Sequence, residues 1–519
     1  MTAASLPALG GGTGRGARLP RGAALVALVT VGAAGLLLLT QNPLVALAPM
    51  VLVVAAWTVL HAPLRHTLYA LLALVVFADI VPRDPHDAEG VAMWHSIATP
   101  LQRLLLDNLN KLTGVEALRV SGVELLIAGL LVLAAARVLS GQGVDRAGRT
   151  AAAWPMYVAL GVSLGTVLAM ELWGAARGGD VRQSLWQFRQ LLWMPPLAAL
   201  LCYALRGPRD LGTLLGVLTA TSCAKIAVGL YYYVVARRIL GEKPATVTSH
   251  ADTVLFVVVL AVWAAAALER PTMGRLAMAA GVWGWTLLGM VINNRRTAFV
   301  SLAACLYVLF WRLRPAQRRG IVRAAMLAMP LILGYFAIGR YKTTGIFAPA
   351  ASVWSVTRQK DGSSITRDIE NFNLIVTLHA HPLVGSGWGH EYVEQVKADD
   401  ISKFFPQYRY IAHNSVLWLW SIGGLAGFAL LWWPLVTGVF LATRAHWLAR
   451  TSAERTGAYA ALAVFTTYVI QAWADMGTES WTTNGLLACA VAIAAKLATT
   501  TGAWPSSTSL TPHATESLA

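Results

Sequence analysis

His413-Asn414, followed by nine residues and then Gly424-Leu425-Ala426-Gly427, carries the clearest chemical signal in the sequence. Asn414 or Ser415 can cap a helix that begins there, which leaves His413 at its rim. A histidine so placed titrates near neutrality and can take a proton from an incoming hydroxyl. The glycines, a few turns deeper, let a second helix pack closely. An interfacial histidine beside a packing motif would satisfy the same pattern, so its neighbours must decide.

Those neighbours are arginines. Arg295 and Arg296 sit in the reversal Ile292-Asn293-Asn294-Arg295-Arg296-Thr297, Arg182 and Arg189 precede one apolar run, and Arg237 and Arg238 follow another. Arg367 opens Thr366-Arg367-Asp368-Ile369-Glu370-Asn371-Phe372, where Thr366 can cap a helix whose apolar residues 369, 372 and 376 share one face. A guanidinium fork matches phosphate geometry bidentately. Any single arginine is satisfied by a lipid phosphate, whereas a convergent set points to an anionic substrate. The run Pro382-Leu383-Val384-Gly385-Ser386-Gly387-Trp388-Gly389 has glycine at alternate positions, which lets its backbone approach a ligand or a helix. Lys225 lies within a long apolar run. An ionisable group at that depth is functional by default, unless it snorkels or pairs with an acid such as Glu171.

Composition identifies the elements that must position these groups. Of 519 residues 56% are apolar and 13% charged, with mean hydropathy +0.57. A soluble globular chain is roughly 45–50% apolar and about 25% charged. The balance excludes an ordinary cytosolic enzyme, a disordered chain and a disulfide scaffold, and it predicts an all-α polytopic membrane protein. The four cysteines fall inside apolar runs and read as small buried hydrophobes.

The apolar runs are Ala23–Gln41, Leu44–Leu60, Thr67–Val81, Ser121–Ala136, Pro155–Met170, Leu191–Leu205, Leu211–Val235, Thr253–Leu268, Leu276–Ile292, Thr297–Trp311, Ala324–Ile338, Val416–Ala442, Gly457–Ile470 and Trp481–Ala495. With ~20 residues per crossing, they predict about 14 transmembrane helices. Clusters such as Arg312, Arg314, Arg318, Arg319 and Arg323 place the N-terminus inside and account for most of the +16 net charge, so a nucleic-acid partner is not expected. The expected organisation is a disordered cytoplasmic segment 1–20, helices 1–11 over 21–340 with an outer loop 82–120, a large extracytoplasmic loop 341–412 of 72 residues with short helices, helices 12–14 over 413–498, and a disordered tail 499–519. The arginines above then lie on the outer side, against the topological preference.

Three landmarks in this order resemble the bacterial O-antigen ligase and O-antigen polymerase superfamily of polytopic membrane glycosyltransferases. They are a span-end arginine (Arg295 or Arg296) before Thr297-Ala298, an Arg367-led helix ending in Pro-Leu-x-Gly-x-Gly-x-Gly at Gly389, and His413-Asn414, nine residues, Gly424-x-x-Gly427. The likeness covers about Ile292 to Gly427. Asn371 stands where the family often has Trp, and Arg295 where it often has Ser before the span-end arginine.

The resemblance implies transfer of a glycan from a polyprenyl diphosphate donor to an acceptor sugar hydroxyl, on the outer face of the bacterial cytoplasmic (inner) membrane. Arg296 (or Arg295) and Arg367 would clamp the diphosphate, and His413 would deprotonate the acceptor, with inversion and without metal or cofactor. Asn414, Gly385, Gly387, Arg189 and Lys225 are the further candidates for substrate contact. The acceptor would be another lipid-linked repeat in a polysaccharide polymerase, or a lipid A core sugar in a ligase acting in lipopolysaccharide biosynthesis. Protein O-glycosylation, a transporter or flippase for the same lipid, and a scaffold of an exopolysaccharide assembly are the competing readings. The flippase fits poorly with cations gathered on one side.

Overall fold

The computed structural model describes residues 30–32, 34–35, 38, 53–54, 56–79, 99–115, 118–141, 150–241, 247–293, 295–342, 347, 350–351, 362–398, 400–402, 405 and 407–505. The expected disordered segment 1–20, most of the first two apolar runs and most of the first half of the loop 82–120 lie outside these residues. The chain divides into two units, 1–63 and 64–519. In the first, residues 56–61 are helical, and His61 stacks on Trp57.

The second unit is all-helical among the described residues, apart from an isolated bridge between Asn108 and Ser121. Its helices are α1 (Leu64–Ala78), α2 (Thr99–Leu105), α3 (Asn110–Thr113), α4 (Gly122–Leu139), α5 (Trp154–Ala176), α6 (Val181–Ala204), α7 (Leu211–Leu240), α8 (Asp252–Glu269), α9 (Met273–Asn293) and α10 (Arg296–Arg312). They continue with α11 (Pro315–Gly339), α12 (Gly362–Ala380), α13 (Ser415–Leu431), α14 (Trp433–Leu448), α15 (Ser452–Ala474) and α16 (Trp481–Thr500). Each described apolar run thus forms a helix. Starts are set locally: Asp180 accepts from the N–H groups of Arg182 (2.7 Å) and Gln183 (3.2 Å) to cap α6, and Thr451 with Glu454 forms a capping box on α15.

Eight helical segments among the described residues are long and apolar enough to cross a membrane: α4, α5, most of α7, α8, α9, α11, the α13–α14 run and α16. The run expected as one span over Val416–Ala442 is two helices, α13 and α14, meeting at Trp432. α16 is buried along nearly its whole length and packs on α6, α14 and α15, so it forms the centre with α8. α11 is apolar yet almost wholly unburied, as a helix must be when hydrocarbon rather than protein surrounds it. At the C-terminus, α16 runs to Thr500 and Trp504 packs edge-on against Trp154, so residues 499–505 of the tail expected to be disordered are structured; 506–519 lie outside the described residues.

The segment after α12 is fastened to the bundle by large aromatic side chains. Trp388 is buried, donates from Nε1 to the Val167 carbonyl (3.0 Å), and packs against Phe188 and Trp418. Trp418 and Gln187 each donate to the Tyr410 carbonyl at 2.7 Å. Thus α5, α6 and α13 hold the chain on either side of His413.

Candidate functional site

The glycine run explains how the loop is seated. Gly385 and Gly387 have φ of 72° and 84°, and Gly424 breaks α13 with φ 61° and ψ −172°. The break frees two helical N–H groups, and the loop fills the gap. Leu425 N donates to Pro382 O (2.9 Å), Ala426 N to Leu383 O (3.0 Å), and Gly387 N returns a bond to Ile422 O (2.9 Å). A Cβ on Gly385 would lie 2.1 Å from Ile422 O, and one on Gly387 2.5 Å from Gly174 N. The two glycines, candidates for substrate contact, therefore meet the backbones of α13 and α5. Of the two α13 glycines expected to admit a helix, Gly427 receives the Met170 side chain of α5, as does Gly423, whereas Gly424 meets the loop backbone at Leu383 and Val384.

Docking the loop orients α12. This helix starts at Gly362, so Thr366 lies in its second turn rather than at its cap. Its polar side faces inward: Glu370, Asn373 and Thr377 are buried, whereas Ile365 and Phe372 are exposed. Asn373 bonds the Val396 backbone through both amide atoms, at 2.8 and 2.9 Å, and Thr377 accepts from Val393 N (2.8 Å). Of the apolar face read from the sequence, Phe372 is exposed and Ile369 and Val376 are half-buried.

The inward face carries the chemistry. Glu370 accepts from the His413 backbone N–H at 3.0 Å and lies 3.2 Å from its Nδ1. The carboxylate thereby fixes the imidazole and leaves Nε2 without a partner among the described residues. Burial disfavours the charged ring, but the hydrogen bond and charge of Glu370, aided by Asp475, outweigh it and raise the His413 pKa above its ordinary value. Asn414 caps α13 by accepting from Leu417 N (3.1 Å), and its amide donates to Asn371 (3.1 Å).

A second histidine–carboxylate pair adjoins the first. His250 Nδ1 lies 2.6 Å from Asp475 Oδ2, and Ser415 donates to the Asp475 carbonyl (3.2 Å). Arg367 Nη1 donates to the Ala474 carbonyl at 3.0 Å. Burial would raise the Asp475 pKa, but His250, Arg367 and His413 together hold it well below the ordinary value. Arg295, at the start of α10, senses both Asp475 and Arg367. Burial and then Arg367 lower its pKa against the pull of Asp475, and its buried Nε has no hydrogen-bond partner among the described residues. Arg296, one position on, is exposed. Arg295, Arg367, Glu370 and His413 therefore converge with His250 and Asp475. The last two were not singled out in the sequence, although both are ionisable residues bordering apolar runs on the side expected for His413.

Two candidates lie elsewhere. Arg189 forms an ion pair with Glu124, with Nε 2.6 Å from the carboxylate, and its guanidinium also donates to Asn108 and to the Arg119 carbonyl (3.0 Å). It ties α6 to α4 and to the segment before it. Lys225 pairs with Asp252 of α8, not with Glu171, and donates to the Asp79 carbonyl (2.6 Å), wholly buried. Glu171 instead accepts from Ser184 at 2.9 Å. No group of three or more His, Cys, Asp or Glu side chains among the described residues is arranged to hold a metal ion.

Fold and site together define a multi-pass, all-helical membrane protein with guanidinium groups and a carboxylate-held histidine at one locus. Residues 280–432, from within α9 through the end of α13, match the O-antigen ligase family model. The match supports the O-antigen ligase and polymerase superfamily, and with it a membrane glycan-transfer function. No curated protein matches the chain.

Proposed function

We propose that the protein transfers a glycan from a polyprenyl diphosphate to a sugar hydroxyl at the outer face of the bacterial cytoplasmic membrane. The observation that carries this reading is the convergence of Arg295 and Arg367 with the Glu370-held His413. A desolvated guanidinium with an unused donor is matched to a phosphate oxygen. His413 Nε2 removes the acceptor proton as the hydroxyl oxygen bonds to the anomeric carbon. The bond from that carbon to the diphosphate breaks, and the leaving oxygen takes the electron pair. Arg295 and Arg367 stabilise the charge that develops there. Attack opposite the leaving group inverts the anomeric centre, and the guanidinium charges make a metal ion unnecessary.

The test is reconstituted protein with a polyprenyl diphosphate glycan and an acceptor glycan, in chelator. Wild type should form product, and folded His413→Ala, Arg367→Ala and Arg295→Ala proteins should lose it. Retention of full activity by folded variants would remove the assigned roles. Movement of the lipid across the bilayer without a new glycosidic bond would instead make the protein a flippase. The acceptor that works separates polymerase, ligase and protein glycosylation.

A further inference from the structure

A cavity of about 440 Å³ adjoins the site just described and shares His250 and Asp475 with it, and Ile411, two residues before His413, lies on its wall. Its volume falls within the ~300–1,000 Å³ of small-molecule sites. Gln190 of α6, Gln471 of α15 and Glu479 of the turn Gly477–Glu479 line it, and Oε1 of each is buried with no hydrogen-bond partner among the described residues. Gln471 is only 2% exposed. Buried acceptors are unfavourable when left unmade, so the side chains that carry them gain by turning toward a ligand in the cavity that donates hydrogen bonds.

The charge of the wall narrows the ligand further. Asp79, Asp475 and Glu479 line the cavity, and among the described residues no lysine or arginine does. Burial raises the Glu479 pKa well above the ordinary carboxylate value, which favours the protonated carboxyl, a group that both donates and accepts. A phosphate or carboxylate brings acceptors and negative charge to a wall that offers the same. Sugar hydroxyls supply donors, and the indoles of Trp186 and Trp481, also on the wall, suit the apolar face of a sugar ring.

We infer that this cavity is the acceptor subsite and that it takes an uncharged sugar. The inference rests on the glycan-transfer reading. It divides the site by chemistry: guanidinium groups for the anionic donor, amide and carboxyl groups for the hydroxyl-bearing acceptor.

Saturation-transfer NMR on the full chain in nanodiscs tests it without requiring turnover. The probes are the methyl glycosides of glucose, galactose, mannose and N-acetylglucosamine, with glucuronic acid, galacturonic acid and glucose 1-phosphate for comparison. At least one neutral glycoside should bind, the charged sugars about tenfold more weakly, and Gln471→Leu about tenfold more weakly than wild type at unchanged melting temperature. Gln190→Leu, on a different helix, should do the same and serves if Gln471→Leu unfolds. Absence of neutral-sugar binding, equal or tighter binding of the charged sugars, or wild-type binding by folded variants overturns the subsite. Sugar binding that passes these controls in a protein that transfers no glycan overturns the acceptor role and the transfer reading, and leaves a sugar-binding cavity.

Discussion

At the residue scale, the decisive contact is the one between His413 and Glu370. Only a neutral imidazole accepts a proton, and Glu370 favours the charged one, so transfer should rise with pH through a midpoint above the ordinary 6.5. Glu370→Gln removes the opposing charge and should move that midpoint down; a rate–pH profile that does not respond would take His413 out of the role of base. For the arginines, Arg295→Ala should lower transfer by about 10²–10³-fold, in the range of other lost charge-stabilising donors, with a smaller effect from Arg296→Ala. Product formation in reconstituted protein measures both. The sequence narrowed the choice to this pair but could not make it. Adjacent residues at a helix start point in different directions, and only the onset of α10 at Arg296 fixes which of them turns inward.

At the element scale, the loop–helix joint between residues 382–389 and the broken α13 holds the site together. Gly385 and Gly178 share a positive φ, but a Cβ on Gly178 meets nothing within 4 Å, whereas one on Gly385 runs into Ile422 O. Gly178→Ala should therefore cost only the left-handed backbone penalty, about 1–2 kcal/mol. Gly385→Ala should cost distinctly more and abolish transfer, which thermal unfolding in detergent with a parallel activity assay will show. The alternate glycines were legible as a place where backbone approaches something closely. What they approach was not, because nothing local in the sequence reports that α13 is interrupted at Gly424. Likewise the period of α12 was legible, with an apolar face at 369, 372 and 376 that could lie on the membrane surface, but the residues that pack inward were not. Phe372 of that face is exposed, and Glu370, Asn373 and Thr377 are buried beside Leu374.

At the scale of the whole molecule, hydropathy located each of the eight described segments long and apolar enough to cross a membrane, since each must satisfy its own backbone in hydrocarbon. Pairings between distant helices left no such mark, and Lys225 found Asp252 rather than Glu171. Lys225→Met alone should destabilise the protein by about 3–5 kcal/mol, and Lys225→Met with Asp252→Leu should recover most of that. Transfer by the recovered double variant would assign the pair to structure; a stable but inactive one would return Lys225 to the substrate. The proposed sidedness is tested by labelling. The four native cysteines are free, three of them buried. A cysteine at the exposed Glu391 should react with a membrane-impermeant maleimide in intact cells, and one at the exposed Arg450 only after permeabilisation. The interrupted α13 also makes a ruler of the chain. The interval from His413 to Gly424 fixes where the loop inserts, and that insertion fixes how far along α12 Glu370 and Arg367 meet His413 and Asp475. One added residue in 382–389 would shift the loop against α13, and one in 413–424 would turn the first part of α13 against the rest; either puts the two halves of the site out of register, so in an insertion scan these stretches should admit no length change at all.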